Sequence, residues 1–214
     1  MIGNFVIFGD SYSTYQGCIP AGYPTFYTPD EVPPTEKVRN MTAEETWWGR
    51  LLRESDAVLL ENNSWSGSTV CYTGYAGDCS ETSSFIRRYR EMKDRGFFEK
   101  NRVDTVFVFG GTNDSWANAP VGEVQTENFT EADLFSVLPA FSYWMQTMKK
   151  DLPHTRIVFL SNCDLKREIM EGIAKAGDVM GVDVLQLEGI DKDCAHPSIL
   201  GMEQICKQIL SFMA

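Results

Sequence analysis

The sequence is poor in positive charge, in histidine and in long apolar runs. Of its 214 residues, 19 are lysine or arginine and 30 are aspartate or glutamate, which gives a formal net charge of -11. An acidic protein repels polyanions, so we do not expect nucleic acid as a partner. No run approaches the ~20 apolar residues that a membrane-spanning helix needs, so we expect no membrane partner either.

A signal-peptide core is also missing, because the apolar run at residues 5–8 is far too short for one. We therefore favour a cytoplasmic location, with secretion as the alternative if a signal has been removed. The six cysteines include no C-x-x-C pair, so we expect no metal site, no thioredoxin-like site and no cofactor. Cys71 and Cys79 are close enough in sequence to pair in an oxidising compartment, and the sequence leaves that open.

Five short runs rich in β-branched and aromatic residues predict buried strands. They lie at residues 4–8, 57–60, 103–109, 156–160 and 182–187. Segments with helical spacing lie between and after them, at residues 42–52, 83–95, 131–150, 166–180 and 197–212. Strands that alternate with helices indicate a parallel sheet covered on both faces. We therefore predict an α/β fold in which residues 1–214 form one domain around a five-stranded sheet.

Three further segments have a recognisable composition. Residues 12–42 are rich in proline, glycine and tyrosine and predict a long loop, which we expect to form a wall of the substrate site. Thr42 and Glu45 have the spacing of a capping box at the start of the next helix. We interpret the basic run at residues 87–90 as a solvated helix face with i,i+4 ion pairs.

Glycines and polar side chains follow four of the five predicted strands. In an open parallel sheet, ligands bind outside the carboxyl ends of the strands, so these residues are the first candidates for chemistry. In chain order, the segments read GDS at 9–11, NNSWSG at 62–67, GGTND at 110–114 and DCAHP at 193–197.

This inventory contains the groups that acyl transfer requires. A serine hydroxyl becomes a useful nucleophile when an imidazole takes its proton and a carboxylate fixes that imidazole. We predict Ser11 as the nucleophile, His196 as its general base and Asp193 as the carboxylate, because a three-residue spacing places Asp193 and His196 on one side of a single turn. The other histidine, His154, precedes the fourth strand and should lie at the opposite end of the sheet.

The tetrahedral intermediate of acyl transfer also needs hydrogen-bond donors for its oxyanion. The candidates are the backbone N–H groups of Ser11 and Gly67 and the side-chain amide of Asn113. Each has a structural alternative, since Ser11 can shape a turn, Gly67 can be a turn glycine and Asn113 can hold its own loop through an Asx-turn. Asp114 is expected to pin that loop.

The four segments resemble the motif blocks of the SGNH (GDSL-like) hydrolase family, in the family's order and over nearly the whole chain. The matching residues are GDS at 9–11, Gly67, GTND at 111–114 and DCAH at 193–196. The resemblance implies a flavodoxin-like three-layer α/β/α fold, a metal-free double displacement through an acyl-serine, and an ester of a sugar, lipid or thiol as substrate. Tyr12 departs from the family pattern, because it stands where the GDSL name has leucine.

The functional prediction is an esterase that removes a small acyl group, such as acetyl, from a carbohydrate or another small-molecule ester. Tyr12, Trp65, Tyr72 and Trp116 are candidate substrate contacts, because they lie near the motif blocks in sequence. A lipase or thioesterase of the same fold is one alternative. A non-catalytic flavodoxin-like module that binds a phosphate group, such as that of FMN, is another. The sequence leaves the natural ester and the oligomeric state open.

Overall fold

The structure is a computed structural model that describes residues 1–31 and 39–214. Its central sheet contains β1 (Asn4–Gly9), β2 (Val58–Ser64), β3 (Thr105–Gly110), β4 (Arg156–Ser161) and β5 (Asp183–Gln186). Every pairing in this sheet is parallel, and the strand order is β2-β1-β3-β4-β5. The predicted five-stranded parallel sheet is therefore confirmed.

Helices cover both faces of the sheet. They are α1 (Trp47–Glu54), α2 (Phe85–Asp94), α3 (Phe97–Lys100), α4 (Thr112–Trp116), α5 (Val137–Asp151), α6 (Arg167–Met180) and α7 (Ile199–Met213). A 3-10 turn (Ala43–Glu45) precedes α1, and the predicted capping box is present there, with the Thr42 N–H donating to the Glu45 carboxylate at 2.6 Å. The helix predicted at 131–150 is divided into a 3-10 turn (Glu131–Phe135) and α5.

The sheet is buried on both faces, and β1 shows how. Val6 and Phe8 pack with residues of α2, α5 and α6, whereas Phe5 and Ile7 pack with residues of α1 and α7. None of the four side chains has exposed surface. A strand covered on both sides is apolar at every position, which explains why residues 5–8 form an unbroken apolar run.

Three loops begin at the same edge of the sheet. Gly9, at the end of β1, lies beside Ser64 at the end of β2 and beside Phe109 near the end of β3. The segments that follow these three strands carry most of the candidate site residues. The fold therefore supplies the convergence that the parallel strand order predicts.

The long loop after β1 is tied to the rest of the molecule at several points. The indole N–H groups of Trp47 and Trp48 donate to the hydroxyl and the carbonyl oxygen of Ser13, at 3.1 and 3.0 Å. Further along, Tyr27–Thr28 pairs in parallel with Arg39–Asn40. Residues 32–38 of the predicted loop lie outside the described residues.

Two shorter hairpins complete the described chain, Thr73–Gly74 with Gly77–Asp78 and Lys192–Asp193 with His196–Pro197. All six cysteines are free thiols, so Cys71 and Cys79 are not paired here. Within residues 1–31 and 39–214, no helix is both long and apolar enough to cross a membrane.

Candidate active site

Ser11 lies two residues beyond β1, in a turn closed by a hydrogen bond from the Ser13 N–H to the Asp10 carbonyl oxygen at 3.1 Å. Its hydroxyl oxygen is 2.9 Å from Nε2 of His196, and both residues are largely buried. A nucleophile and a base within this distance can exchange a proton directly. Folding thus joins two groups that are 185 residues apart in the chain.

Aromatic rings hold the imidazole of His196 in place. Phe26 stacks on it, with ring centroids 4.0 Å apart and an interplanar angle of 15°. Tyr12 meets it edge-on at 5.4 Å, and the Tyr12 hydroxyl donates to the carbonyl oxygen of Ala195 at 2.6 Å. Tyr12 was a predicted substrate contact, but it is fully buried and packs against the imidazole. Phe26 lies in the predicted loop, and no sequence signal marked it.

His196 lies on a hairpin and not on the single turn that its spacing from Asp193 suggested. The two residues are directly opposite each other in a short antiparallel ladder. Between them, Cys194 and Ala195 have φ values of 46° and 70°. Positive φ at both central residues is the mark of a type I′ turn, which normally requires asparagine or glycine. This hairpin therefore carries backbone strain next to the candidate base.

The carboxylate of Asp193 binds Arg39. Arg39 Nε is 3.0 Å from Asp193 Oδ2, and Arg39 Nη2 donates to the Asp193 carbonyl oxygen at 2.8 Å. Among the described residues, no hydrogen bond or ion pair joins the Asp193 carboxylate to His196, whose Nδ1 is 3.4 Å from the Cys194 carbonyl oxygen. The Asp193 side chain is 62% exposed. The structure thus brings Ser11 and His196 together but directs Asp193 elsewhere, and its catalytic role stays a prediction.

Gly67 is the third residue of a turn in which the Ser68 N–H donates to the Trp65 carbonyl oxygen at 3.2 Å. Its φ of 78° is the value that this turn position requires, and it explains the glycine. Gly67 is also exposed, and a Cβ added there would meet no atom within 4 Å. Gly67 can therefore serve as the turn glycine and still leave its backbone accessible to a ligand.

Hydrogen bonds link the segments that carry the three candidate oxyanion donors. The Thr14 hydroxyl donates to the Ser11 carbonyl oxygen at 3.0 Å and lies 3.4 Å from the hydroxyl of Ser66, just before the turn glycine. Just after that glycine, the Ser68 carbonyl oxygen accepts from Nδ2 of Asn113 at 3.0 Å. The Asn113 amide has a second N–H, which is the one that could serve a ligand.

Asp114 is fully buried in the first turn of α4. Its two carboxylate oxygens accept the backbone N–H groups of Val70 and Cys71, both at 3.0 Å. Burial raises the pKa of Asp114, and these hydrogen bonds oppose that effect. Asp114 thus holds the segment after β2 in place, whereas the sequence analysis expected it to hold the loop that contains Asp114 itself.

Arg88 is fully buried, so the interpretation of residues 87–90 as a solvated face is wrong at this position. Its guanidinium donates to oxygen atoms of four residues: Gly9, Asn63, Ser68 and Ser83. Burial lowers the pKa of Arg88 to about 9, which leaves it charged at neutral pH. The neighbouring Arg87 does form the expected i,i+4 ion pair, with Glu91 at 2.6 Å.

Asp10, directly before the candidate nucleophile, is buried as well. Its Oδ1 accepts the Tyr12 N–H at 3.0 Å, whereas its buried Oδ2 has no hydrogen-bond partner among the described residues. The pKa of Asp10 is raised to about 7, mainly by burial and to a smaller extent by the charge of Asp114, whereas the hydrogen bond from the Tyr12 N–H and the charge of Arg88 lower it. Asp10 had no role in the sequence-based prediction of the site.

The other predicted substrate contacts differ in their access to the site. Trp116 is 41% exposed, with its ring centroid 6.5 Å from that of His196. Trp65 is half-buried beside Tyr23 and lines an open cavity of about 560 Å³ between the long loop and α2. Tyr72 is fully buried, and its hydroxyl accepts from Arg90 at 2.6 Å, so the structure does not bring Tyr72 to the Ser11–His196 pair.

Two remaining features concern histidine and metal binding. His154 is exposed just before β4, at the opposite edge of the sheet from Ser11. Across residues 1–31 and 39–214, no three histidine, cysteine, aspartate or glutamate side chains are grouped as they would be around a metal ion.

The chain matches the family model for GDSL-like lipases/acylhydrolases over residues 3–213. It belongs to the GDSL-like lipase/acylhydrolase family. Within this family, a candidate GDSL-like lipase from Bacteroides ovatus is 36% identical with a TM-score of 0.86, over 100% of this chain and 98% of that one. Another from Bacteroides uniformis is 39% identical with a TM-score of 0.85, over 98% and 94% of the two chains.

More distant structures share the fold of this GDSL-like chain. A family two carbohydrate esterase from Cellvibrio japonicus is 16% identical with a TM-score of 0.70, over 99% of this chain and 60% of that one. Comparison with curated proteins gives no match. Family membership supports hydrolase activity for this GDSL-like protein.

The raised pKa of Asp10 predicts a pH-dependent stability difference. A carboxyl whose pKa rises from about 3.9 unfolded to about 7 folded costs stability as pH increases between those values, because only the unfolded state has released its proton. Asp10→Asn keeps an oxygen for the Tyr12 N–H and removes this cost. We expect its stability relative to the wild type to rise between pH 5 and 8 by on the order of 2 kcal/mol, measured by urea unfolding.

The matched control is Asp94→Asn, since Asp94 is exposed on α2. Its effect should not change over the same pH range. A constant difference between Asp10→Asn and the wild type would contradict the buried, proton-binding state of Asp10.

Proposed function

We propose that this GDSL-like hydrolase is a serine esterase that works through an acyl-serine intermediate. The observation that carries the proposal is the 2.9 Å contact between Ser11 Oγ and His196 Nε2. Ser11 Oγ would attack the ester carbonyl carbon while Nε2 takes its proton, and the protonated imidazole would then give that proton to the leaving alkoxide. A water activated by His196 would hydrolyse the acyl-serine in the same way and restore both groups.

The oxyanion in this scheme is stabilised by the backbone N–H groups of Ser11 and Gly67 and by the side-chain amide of Asn113. The accessible backbone of Gly67 and the hydrogen-bonded chain from Ser11 to Asn113 support this assignment. Donors that are already held in place need no reorganisation when charge develops, which is the main source of their effect.

Asp193 is proposed to help His196 indirectly. Its bonds to Arg39 hold the hairpin against the long loop and preserve the strained turn before His196. This effect is weaker than a direct hydrogen bond to Nδ1.

The proposed substrate is a small-molecule ester with a short acyl group such as acetyl, carried by a carbohydrate or a similar polar alcohol. Exposed Trp116 beside His196 offers a face for a sugar ring. The carbohydrate esterase from Cellvibrio japonicus shares the fold, which is compatible with such a substrate. No cofactor takes part in this scheme. The second candidate is a lipase or thioesterase, and the family's name includes lipases and acylhydrolases.

Fluorophosphonate labelling tests the nucleophile. The wild type should react covalently, whereas Ser11→Ala should not, because the attacking oxygen is gone. Ser211→Ala, at an exposed serine in the last turn of α7, is the control and should label like the wild type. Intact-protein mass spectrometry measures the adduct. Equal labelling of Ser11→Ala and the wild type would remove Ser11 from the mechanism.

Kinetics of Asp193→Asn test the indirect role. We expect kcat to fall by about tenfold or less, far below the roughly 10⁴-fold loss found when a carboxylate that holds the imidazole directly is changed to an amide. Asp178→Asn, on the exposed side of α6, is the matched control and should leave kcat unchanged. A loss near 10⁴-fold would mean that Asp193 leaves Arg39 and binds His196 during turnover.

A series of p-nitrophenyl esters tests the acyl group. For an acetyl-like substrate, kcat/KM should be highest for the acetate and should fall from butyrate to octanoate, since longer chains require apolar contacts that a small acyl site does not provide. A rate that increases with chain length would favour the lipase or thioesterase alternative.

A further inference from the structure

Tyr75 lies at the tip of the hairpin that pairs Thr73–Gly74 with Gly77–Asp78. Its side chain is 57% exposed, yet its hydroxyl donates a hydrogen bond to Oδ1 of Asn113 at 3.0 Å. Asn113 itself is only 4% exposed. Tyr75 therefore reaches from the surface to the amide that we assign as an oxyanion donor.

The Asn113 amide is held at both ends. A carbonyl oxygen can only accept, so the atom that faces the Ser68 carbonyl must be the nitrogen, and the oxygen must be the atom that faces the Tyr75 hydroxyl. These two contacts define the orientation of the amide. Without the Tyr75 hydroxyl, one of the two restraints on that orientation is lost.

The hairpin that carries Tyr75 is itself anchored. The Thr73 hydroxyl donates to the Phe135 carbonyl oxygen at 2.7 Å, and the Tyr72 N–H donates to the Leu134 carbonyl oxygen at 2.8 Å. Both acceptors lie in the 3-10 turn before α5. Contacts with this 3-10 turn thus hold the hairpin in place, and the Tyr75 hydroxyl reaches Asn113 from it.

We propose that Tyr75 is a positioning residue that orients and polarises the Asn113 amide for oxyanion stabilisation. The inference rests on the proposed function. A hydrogen bond donated to the amide oxygen draws electron density from the nitrogen, which makes the remaining N–H a stronger donor. Because the oxyanion exists only in the transition state and the tetrahedral intermediate, the effect falls on kcat and leaves KM nearly unchanged.

Four variants test this role with p-nitrophenyl acetate as substrate. Tyr75→Phe should lower kcat by about threefold to tenfold, the range expected for one neutral hydrogen bond, with little change in KM. Asn113→Ala should lower kcat by roughly 100-fold or more. The double variant should be no worse than Asn113→Ala alone, because Tyr75 acts only through the amide. Tyr143→Phe, on α5, removes a phenol hydroxyl that contacts Arg90 and is the matched control.

Three outcomes would overturn the inference while leaving the esterase proposal intact. They are a Tyr75→Phe enzyme equal to the wild type, a loss that persists in the Asn113→Ala background, and a rise in KM at constant kcat, which would mean direct contact of Tyr75 with substrate. A wild-type protein without turnover or fluorophosphonate labelling would instead overturn the proposed function, and this inference with it.

Discussion

A buried guanidinium joins the ends of the first two strands. Arg88, in the middle of α2, donates to the Gly9 carbonyl oxygen at the end of β1, to Asn63 in β2 and to the Ser68 hydroxyl after β2. These bonds fix the distance between the turn that carries Ser11 and the turn that carries Gly67. Removing one partner of a buried charge network typically costs about 3–5 kcal/mol, so the geometry around Ser11 depends on this side chain.

Much of the sheet could be predicted because its strands are covered on both faces. The runs at β1, β3 and β4 each contain four consecutive apolar residues, and their predicted limits are close to the observed ones. The edge strand β2 was predicted to end at residue 60 but continues to Ser64, through the polar residues Glu61, Asn62 and Asn63. An edge strand has a neighbouring strand on one side only, so its last residues can be polar. The apolar run that predicts the strand then stops before the strand itself does.

The same reasoning explains which site residues the sequence indicated. Ser11 and His196 lie in compact motif blocks. Ser11 follows β1 directly, whereas His196 comes from a hairpin after β5, the strand at the far edge of the sheet. The relation of Asp193 to His196 was misjudged because a three-residue spacing fits both a helical turn and a hairpin. Neither Cys194 nor Ala195 is a glycine or an asparagine, the residue types that indicate positive φ, so the local sequence did not predict this hairpin.

Other contacts of the site depend on tertiary structure alone. Phe26 reaches His196 from a proline-rich loop, Tyr75 reaches Asn113 from a two-residue turn, and Arg39 reaches Asp193 across more than 150 positions. Loops follow no periodic pattern that would place one of their side chains against a distant residue. The apolar pattern that predicts the strands and helices therefore gives no information on Phe26, Tyr75 or Arg39.

Burial and neighbouring groups explain why the pKa of Asp10 is raised to about 7. Asp10 lies near a second buried carboxyl group, that of Asp114, and near the buried guanidinium of Arg88. Asp114 accepts two backbone N–H groups, whereas Asp10 accepts one and has an oxygen without a partner among the described residues. Asp10 therefore has fewer hydrogen bonds to stabilise its charged form, which together with burial accounts for its raised pKa. When Asp10 is protonated, no negative charge adjoins the Ser11 N–H, the donor that we propose for the oxyanion.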